Sequence, residues 1–399
     1  MKQMIIAVAG WCAVAGLARA AEAPLKTDDA SGRALKFITH RLGTFRSEAC
    51  GVGDFNNDGK LDIVAGPNLY LAPDFKPVKI RTLKGSVDEQ GKGYYWDFMN
   101  EPFDVDGDGR LDVVSCDWFQ MHSSWFRNAG PNGGEWPETV IEKNGNFEHG
   151  DLYDVDGDGK ALEIVPSVQR TVWFAAAKDA DGKRALLRHV VSEKTFDYGV
   201  GVGDLNGDAR PDFIRPGVWY EAPADPRRGP WKELPLLLGD REGKTPQHTA
   251  QILVLDVNSD GLNDILCSSA HGYGIFWYEQ ARRGSEIRFQ QHLIDDSWTQ
   301  AHSLALADLD GDGHPELITG KRFMAHNGTD PDEHAPLGVY YYKLKRGPAP
   351  AWTKHTVSYN EGIGAGMNIC VADLEGDGDL DIVVTGKWGG PVWFENKLK

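Results

Sequence analysis

From residue 34 onward, apolar residues alternate with glycine, small or polar ones in short stretches, as in Gly199-Val200-Gly201-Val202-Gly203 and Ser303-Leu304-Ala305-Leu306-Ala307. An acidic turn follows each stretch. Then comes a β-branched run such as Leu61-Asp62-Ile63-Val64 or Leu380-Asp381-Ile382-Val383-Val384. A third stretch is aromatic: Val172-Trp173-Phe174, Val218-Trp219-Tyr220, Phe276-Trp277-Tyr278, Val392-Trp393-Phe394. A fourth carries histidine before β-branched residues, at His40, His189, His292 and His355. Period-two alternation, aromatic and β-branched enrichment, and Gly/Pro/Asp punctuation predict strands. No amphipathic helical stretch of useful length interrupts them.

The acidic turn recurs at Asp54, Asp104, Asp154, Asp204, Asp256, Asp308 and Asp373, with spacings of 50, 50, 50, 52, 52 and 65 residues. A fixed period of this length marks one structural unit copied along the chain. Four strands per unit and seven units predict an all-β, seven-bladed β-propeller over residues 34–399. The last unit ends after its aromatic third strand, and Phe37-Ile38-Thr39-His40 is a fourth-type strand lying before the first turn. Their pairing is expected to complete the seventh blade and remove exposed sheet edges.

The turn reads Asp-x-(Asp/Asn/Glu)-x-Asp-Gly-x-x-(Asp/Glu). Oxygens at positions 1, 3 and 5, a carbonyl near 7 and a carboxylate at 9 can wrap a hard cation, and glycine permits the bend. Calcium fits better than magnesium, which demands a tight octahedron. The expected ligand sets are Asp54, Asn56, Asp58, Asp62; Asp104, Asp106, Asp108, Asp112; Asp154, Asp156, Asp158, Glu163; and Asp204, Asn206, Asp208, Asp212. Three more are Asp256, Asn258, Asp260, Asp264; Asp308, Asp310, Asp312, Glu316; and Asp373, Glu375, Asp377, Asp381. Ala209 replaces the glycine in the fourth turn and an extra residue precedes Glu163 in the third, so these two are expected to bind least well.

A net charge of −17 argues against nucleic acid and anionic membranes as partners. Met1–Ala20 combines Lys2, an apolar stretch and a small-x-small site at Ala18-Arg19-Ala20, the pattern of a signal peptide. Residues 21–33 read as a loose leader, and a secreted or periplasmic location follows. No other segment is apolar enough to insert in a membrane. Cys50, Cys116, Cys267 and Cys370 sit at different offsets within the repeats beside apolar residues, and buried free thiols are expected.

The turns and strand pattern resemble FG-GAP/VCBS repeats, whose propellers include integrin α heads. The resemblance implies calcium at the turns and says little about activity. More narrowly, Gln247-His248-Thr249-Ala250-Gln251, Ala270-His271-Gly272-Tyr273-Gly274 and Gly320–Asn327 resemble the propeller of aldos-2-ulose dehydratase and its bacterial relatives. That likeness implies a lyase dehydrating keto-sugars, with His248, His271, Lys321, Arg322 and His326 in its pocket. The fungal enzyme's additional cupin domains have no counterpart here.

With the acidic turns on one face, the other face gathers the residues before each inner strand and those linking the second to the third strand. Glu48, Glu101, His149, Tyr198, His248, His302 and Asn368 fall in the first group. Asp117, Arg170, His271, Lys321, Arg322, His326 and Lys387 fall in the second, with Tyr95, Trp96, Trp118, Trp298 and Trp388 alongside. Such a mouth suits a sugar or glycan. Two or three histidines with Glu48 or Glu101 would hold Zn²⁺ or a similar ion. His or Glu beside it would act as base, giving β-elimination from a keto-sugar. A non-catalytic glycan- or protein-binding propeller is the alternative reading.

Overall fold

The computed structural model describes residues 35–130, 134–238, 248–284 and 286–398; the expected signal and leader, and Gln247, lie outside them. Seven four-stranded antiparallel sheets form the blades of a propeller, and one further hairpin pairs Gly85–Val87 with Gly93–Tyr95. No α-helix occurs among the described residues. The inner strands are Cys50–Gly53, Met99–Phe103, His149–Tyr153, Gly201–Gly203, Leu253–Leu255, Ala301–Ala307 and Cys370–Ala372. Phe37–Phe45 lies antiparallel on Gly390–Asn396, in the sheet whose inner strand is Cys370–Ala372, so both ends of the propeller share one blade.

The sequence pattern follows from depth in the blade. Second strands such as Asp62–Ala65 and Asp381–Val384 are buried at every position, because blades cover both their faces. Outer strands such as Glu138–Lys143 face water. Close to the axis the inner strands crowd. A Cβ on Gly51 would lie 2.0 Å from the Asn100 carbonyl oxygen, and one on Gly201 2.0 Å from that of Ile252. Third-strand aromatics fill the spaces between blades, where Trp173 and Tyr220 share one cluster with Phe213 of a second strand. The fourth-strand histidines are packing residues: His40 stacks on Trp393, His189 on Trp173, His292 on Trp277 and His355 on Tyr341.

A device absent from the sequence reading ties blade to blade. Asn128 Nδ2 donates to the carbonyls of Phe55 and Leu111, both at 2.9 Å, bridging the second acidic turn to the first. Gln280 bridges Leu205 and Asn263 in the same way, and Asn396 bridges Leu309 and Leu380. The cysteines among the described residues, Cys50, Cys116, Cys267 and Cys370, are free; Cys50 Sγ and Cys370 Sγ sit 3.7 Å apart across the first and last blades.

Candidate functional site

Antiparallel strands put the acidic turns at one rim and the links between second and third strands at the other. In each turn the first aspartate accepts backbone N–H groups of positions 5 and 6, as Asp54 does from Asp58 and Gly59. Carboxylate oxygens converge in the sets Asp104, Asp106, Asp108; Asp154, Asp156, Glu163; and Asp308, Asp310, Glu316, within 4.8 Å in each set. The donor chemistry fits an oxygen-preferring cation. The Asp154 turn, expected to bind least well, brings Asp154, Asp156 and Glu163 together despite the extra residue. Ala209 takes the left-handed conformation, φ 65°, that glycine takes in the other turns.

The last position divides the turns: Glu163 and Glu316 join the acidic sets, whereas the shorter Asp62 and Asp112 have both carboxylate oxygens held by backbone donors, Asp62 accepting from Phe55 and Ala72 and Asp112 from Val105 and Asn128. Burial pushes Asp62 and Asp112 up to about 6, and Glu316 to about 7. Four turns with an acid at position 3 also carry an internal cation. Arg127 meets Asp106 at 2.7 Å, Lys397 meets Glu375 at 3.6 Å, and Arg227 and Lys343 meet Asp156 and Asp310.

On the opposite rim, a cavity of about 340 Å³ opens along the axis. Tyr94, Phe98, Trp118 and Phe119 wall it, while Glu148, His248, Arg322, His326 and Asn327 supply polar groups. Tyr94 comes from the added hairpin. That hairpin is fastened by Gly93 N donating to Asn327 Oδ1 at 2.8 Å and by Lys387 Nζ donating to Gly93 O at 3.1 Å. The buried Lys387 ammonium also lies 3.7 Å from the Tyr94 ring centroid, and burial lowers its pKa to about 8.

Glu148 is the hub. His248 Nε2 stands 2.5 Å from its Oε2, and His302 Nε2 stands 3.2 Å from its Oε1. Burial opposes its charge, yet the two imidazoles outweigh that and hold Glu148 well below the usual carboxylate range. For His248 likewise, burial is overcome by Glu148 and its pKa is raised, so the two form an ion pair. Burial keeps His271 and His302 neutral, His271 near 4. His271 Nδ1 lies 3.0 Å from Asp330 Oδ2 and His326 Nδ1 2.7 Å from Asp330 Oδ1, with the two rings stacked at 4.2 Å. Arg322 grips Glu48 through Nε at 2.8 Å and Nη2 at 3.3 Å, leaving Nη1 4.0 Å from Glu148.

Several expectations are corrected here. Glu48 neutralises Arg322 and does not stand among the imidazoles. Glu101 is buried deeper in the channel, where burial and neighbouring Asp151 raise its pKa. Lys321 points to Thr299 Oγ1 at 2.6 Å and does not line the cavity. His149 is buried, and neither of its ring nitrogens has a hydrogen-bond partner among the described residues. Arg170 pairs with Glu142, Asp117 accepts from Gln120, and Trp298 donates to Asp295, all outside the cavity lining. Glu148, Asp330, Tyr94, Phe98 and Phe119 were missed. Glu148 carried a signal: it precedes its aspartate, Asp154, by six residues, as Glu48 precedes Asp54 and His302 precedes Asp308.

The FG-GAP-like repeat family matches residues 104–165 and 256–319, so the chain carries FG-GAP-like repeats. Rhamnogalacturonan exolyase YesX of Bacillus subtilis (strain 168) is 27% identical over 307 residues, covering 72% of this chain. The chain spans 44% of that enzyme's length. Among solved structures, an Agrocybe aegerita lectin specific for non-reducing terminal N-acetylglucosamine aligns over 89% of this chain and 86% of its own, at 17% identity and TM-score 0.45. The V. cholerae biofilm matrix protein Bap1 aligns over 88% of each chain, at 11% identity and TM-score 0.39.

Proposed function

We propose that the protein is an exported, carbohydrate-active lyase that cleaves an oxidised sugar, a keto-sugar or a uronic acid residue, by β-elimination at the axial cavity. The observation carrying this reading is an aromatic-walled cavity with imidazole, carboxylate and guanidinium groups gathered at its base. A concave site with apolar walls and a few convergent polar groups is the usual form of a small-ligand site. The distant likeness to a rhamnogalacturonan exolyase supports the same chemistry. Calcium in the acidic turns belongs to the reading as structural support of the opposite rim.

In such an elimination a base removes the proton α to the sugar's carbonyl or carboxylate. The electron pair forms a C=C bond, and the β-oxygen leaves with a proton from an acid. His326 lines the cavity, and its Nδ1 is held by Asp330, which leaves Nε2 for the α-proton. His248, charged by Glu148, is the proton donor to the leaving oxygen. Arg322 Nη1 faces the charge that develops on the carbonyl oxygen. Tyr94 and Trp118 offer flat faces to the sugar ring.

The test is incubation with 3-keto-glycosides, 1,5-anhydrofructose and rhamnogalacturonan oligosaccharides, read as new ultraviolet absorbance from an enone or unsaturated uronate. Absorbance from wild type, lost in His326→Ala, supports the lyase. Saturable sugar binding with no new absorbance selects a glycan-binding module, which the aromatic wall alone would also serve.

A further inference from the structure

We propose that Cys50 and Cys370 are a disulfide-forming pair whose bond locks the first blade to the last and turns the propeller into a covalent ring. The inference is independent of the lyase reading, since it concerns two inner strands and no substrate. The Sγ atoms lie 3.7 Å apart, in contact across the junction of the inner strands Cys50–Gly53 and Cys370–Ala372. In the sequence the two residues are 320 positions apart. Cys50 stands four residues before the first aspartate of its turn and Cys370 three before its own. No other unit carries a cysteine at either place, so the contact is not a product of the repeat. Cys116 and Cys267, by contrast, lie within second strands, Asp112–Asp117 and Asp264–Ser268.

The junction is built to hold the two sulfurs together. Asn368 reaches from the last blade to the first, where its Oδ1 accepts from Cys50 N at 3.0 Å and its Nδ2 donates to Cys50 O at 2.7 Å. One side chain, two residues ahead of Cys370, thus grips both backbone polar groups of Cys50. Cys370 Sγ lies 3.5 Å from the Cys50 carbonyl oxygen. Cys50 Sγ lies 3.8 Å from the carbonyl oxygen of Val383, the residue paired with Cys370. Rotation of the two side chains has to bring the sulfurs from contact to the roughly 2 Å of a bond, across a junction that Asn368 already fixes. Cys50 is fully buried and Cys370 half-buried.

The bond would act where the ring closes. The strand Phe37–Phe45 on Gly390–Asn396 and the Asn368 clamp hold the first blade to the last by hydrogen bonds. A cross-link spanning so much of the chain restricts the unfolded state strongly, because loop-closure entropy grows with loop length. The chemistry is thiol–disulfide exchange with a disulfide oxidant, as the exported location proposed above supplies. One cysteine thiolate attacks the oxidant, expels one of its thiols and leaves a mixed disulfide. The other cysteine attacks the cysteine sulfur of that mixed disulfide, the Cys50–Cys370 bond forms, and the second thiol departs. Two cysteine thiols are oxidised, one oxidant disulfide is reduced to two thiols, and the cysteine protons pass to them. In the folded ring this exchange is slow. The Cys50 thiol alongside, burial and the charge of Asp151 hold the Cys370 thiol well above its ordinary pKa, and Glu101 faces the same sulfur. The bond therefore forms most readily as the last blade docks, before the thiols are covered.

The experiment refolds the full-length protein from denaturant in a glutathione redox buffer and, separately, in reductant. A second arm needs no refolding: folded, reduced protein is held in oxidised glutathione at about pH 9, where more thiolate is present. Peptide maps, thiol counts and Tm are compared. The expected result is one intramolecular cross-link between the peptides carrying Cys50 and Cys370, with Cys116 and Cys267 still reduced. Tm should exceed that of the reduced protein by roughly 5 °C. Cys370→Ala should gain nothing from either oxidising buffer. Folded protein that keeps the Cys50 and Cys370 thiols in both arms, or joins either of them to a different cysteine, overturns the pair. A Cys50–Cys370 bond that leaves Tm unmoved overturns the lock, as does an equal rise of Tm in oxidised Cys370→Ala.

Discussion

Replacing Asn128 by Ala tests how far the ring depends on its inter-blade amide bridges. Asn128 is 3% exposed, and its amide supplies two 2.9 Å hydrogen bonds, to Phe55 O in the preceding turn and Leu111 O in its own. Alanine deletes both donors and leaves no room-filling substitute. The Phe55 carbonyl then stays buried without its donor, at a cost of about 1–3 kcal/mol, and the less buried Leu111 carbonyl adds about 1 kcal/mol. The expected loss is therefore roughly 2–4 kcal/mol. With about 2 cal/mol/K of unfolding entropy per residue, each kcal/mol moves Tm of so long a chain by only about 1–2 °C. Urea unfolding is therefore the sharper assay, supplemented by calorimetry. Gln280 makes the equivalent bridge between other blades. Gln280→Ala should cost a similar amount, and the double variant should show the sum, because the sites share no partner. Losses within about 0.5 kcal/mol of zero for both single variants would refute the idea that these amides lock blade to blade.

Other expectations follow from the same structure. Ala209 is held at φ 65°, so Ala209→Gly should relieve left-handed strain and stabilise by roughly 0.5–1 kcal/mol, while destabilisation in urea would contradict it. Burial raises the pKa of Asp295, but Lys354 at 3.0 Å and the Tyr342 hydroxyl at 2.5 Å more than offset this and leave it below its ordinary value. A depressed carboxylate contributes stability above its unfolded pKa and loses it as pH falls through the folded one. Asp295→Asn should thus cost about 3 kcal/mol at pH 7, a gap that closes below about pH 4; a gap equal at pH 7 and pH 3 would count against the linkage. Calcium chelation should lower Tm, since each site held at a hundredfold its Kd contributes about 2.7 kcal/mol; an unmoved Tm would remove calcium from the acidic turns. Trp118→Ala should raise KM for the sugar more than it lowers kcat, and an unchanged KM would take that ring out of the binding wall.

The sequence by itself determined the ring. Residues that recur every fifty or so positions must serve the same local purpose in each copy, so strand periodicity, the acidic turns and the recurring aromatic and histidine strands were legible one unit at a time, although that His189 stacks on Trp173 was not. The histidines of the site were legible too, because His248 and His302 stand out against the repeat. Only the tertiary structure decided which carboxylate meets them. Glu48 and Glu148 occupy the same place along their units, six residues before the first aspartate, and nothing local separates those two, while Glu101 lies three before Asp104. Around a closed ring, however, Glu48 reaches Arg322, Glu101 turns toward Asp151, and Glu148 alone stands between His248 and His302. Partners separated by 100 to 274 residues are chosen by the rotation of blades about the axis, a quantity that no window of sequence contains. The hairpin carrying Tyr94 was lost for the same reason: it breaks the repeat, and its purpose shows only where it meets Asn327 and Lys387 across the mouth.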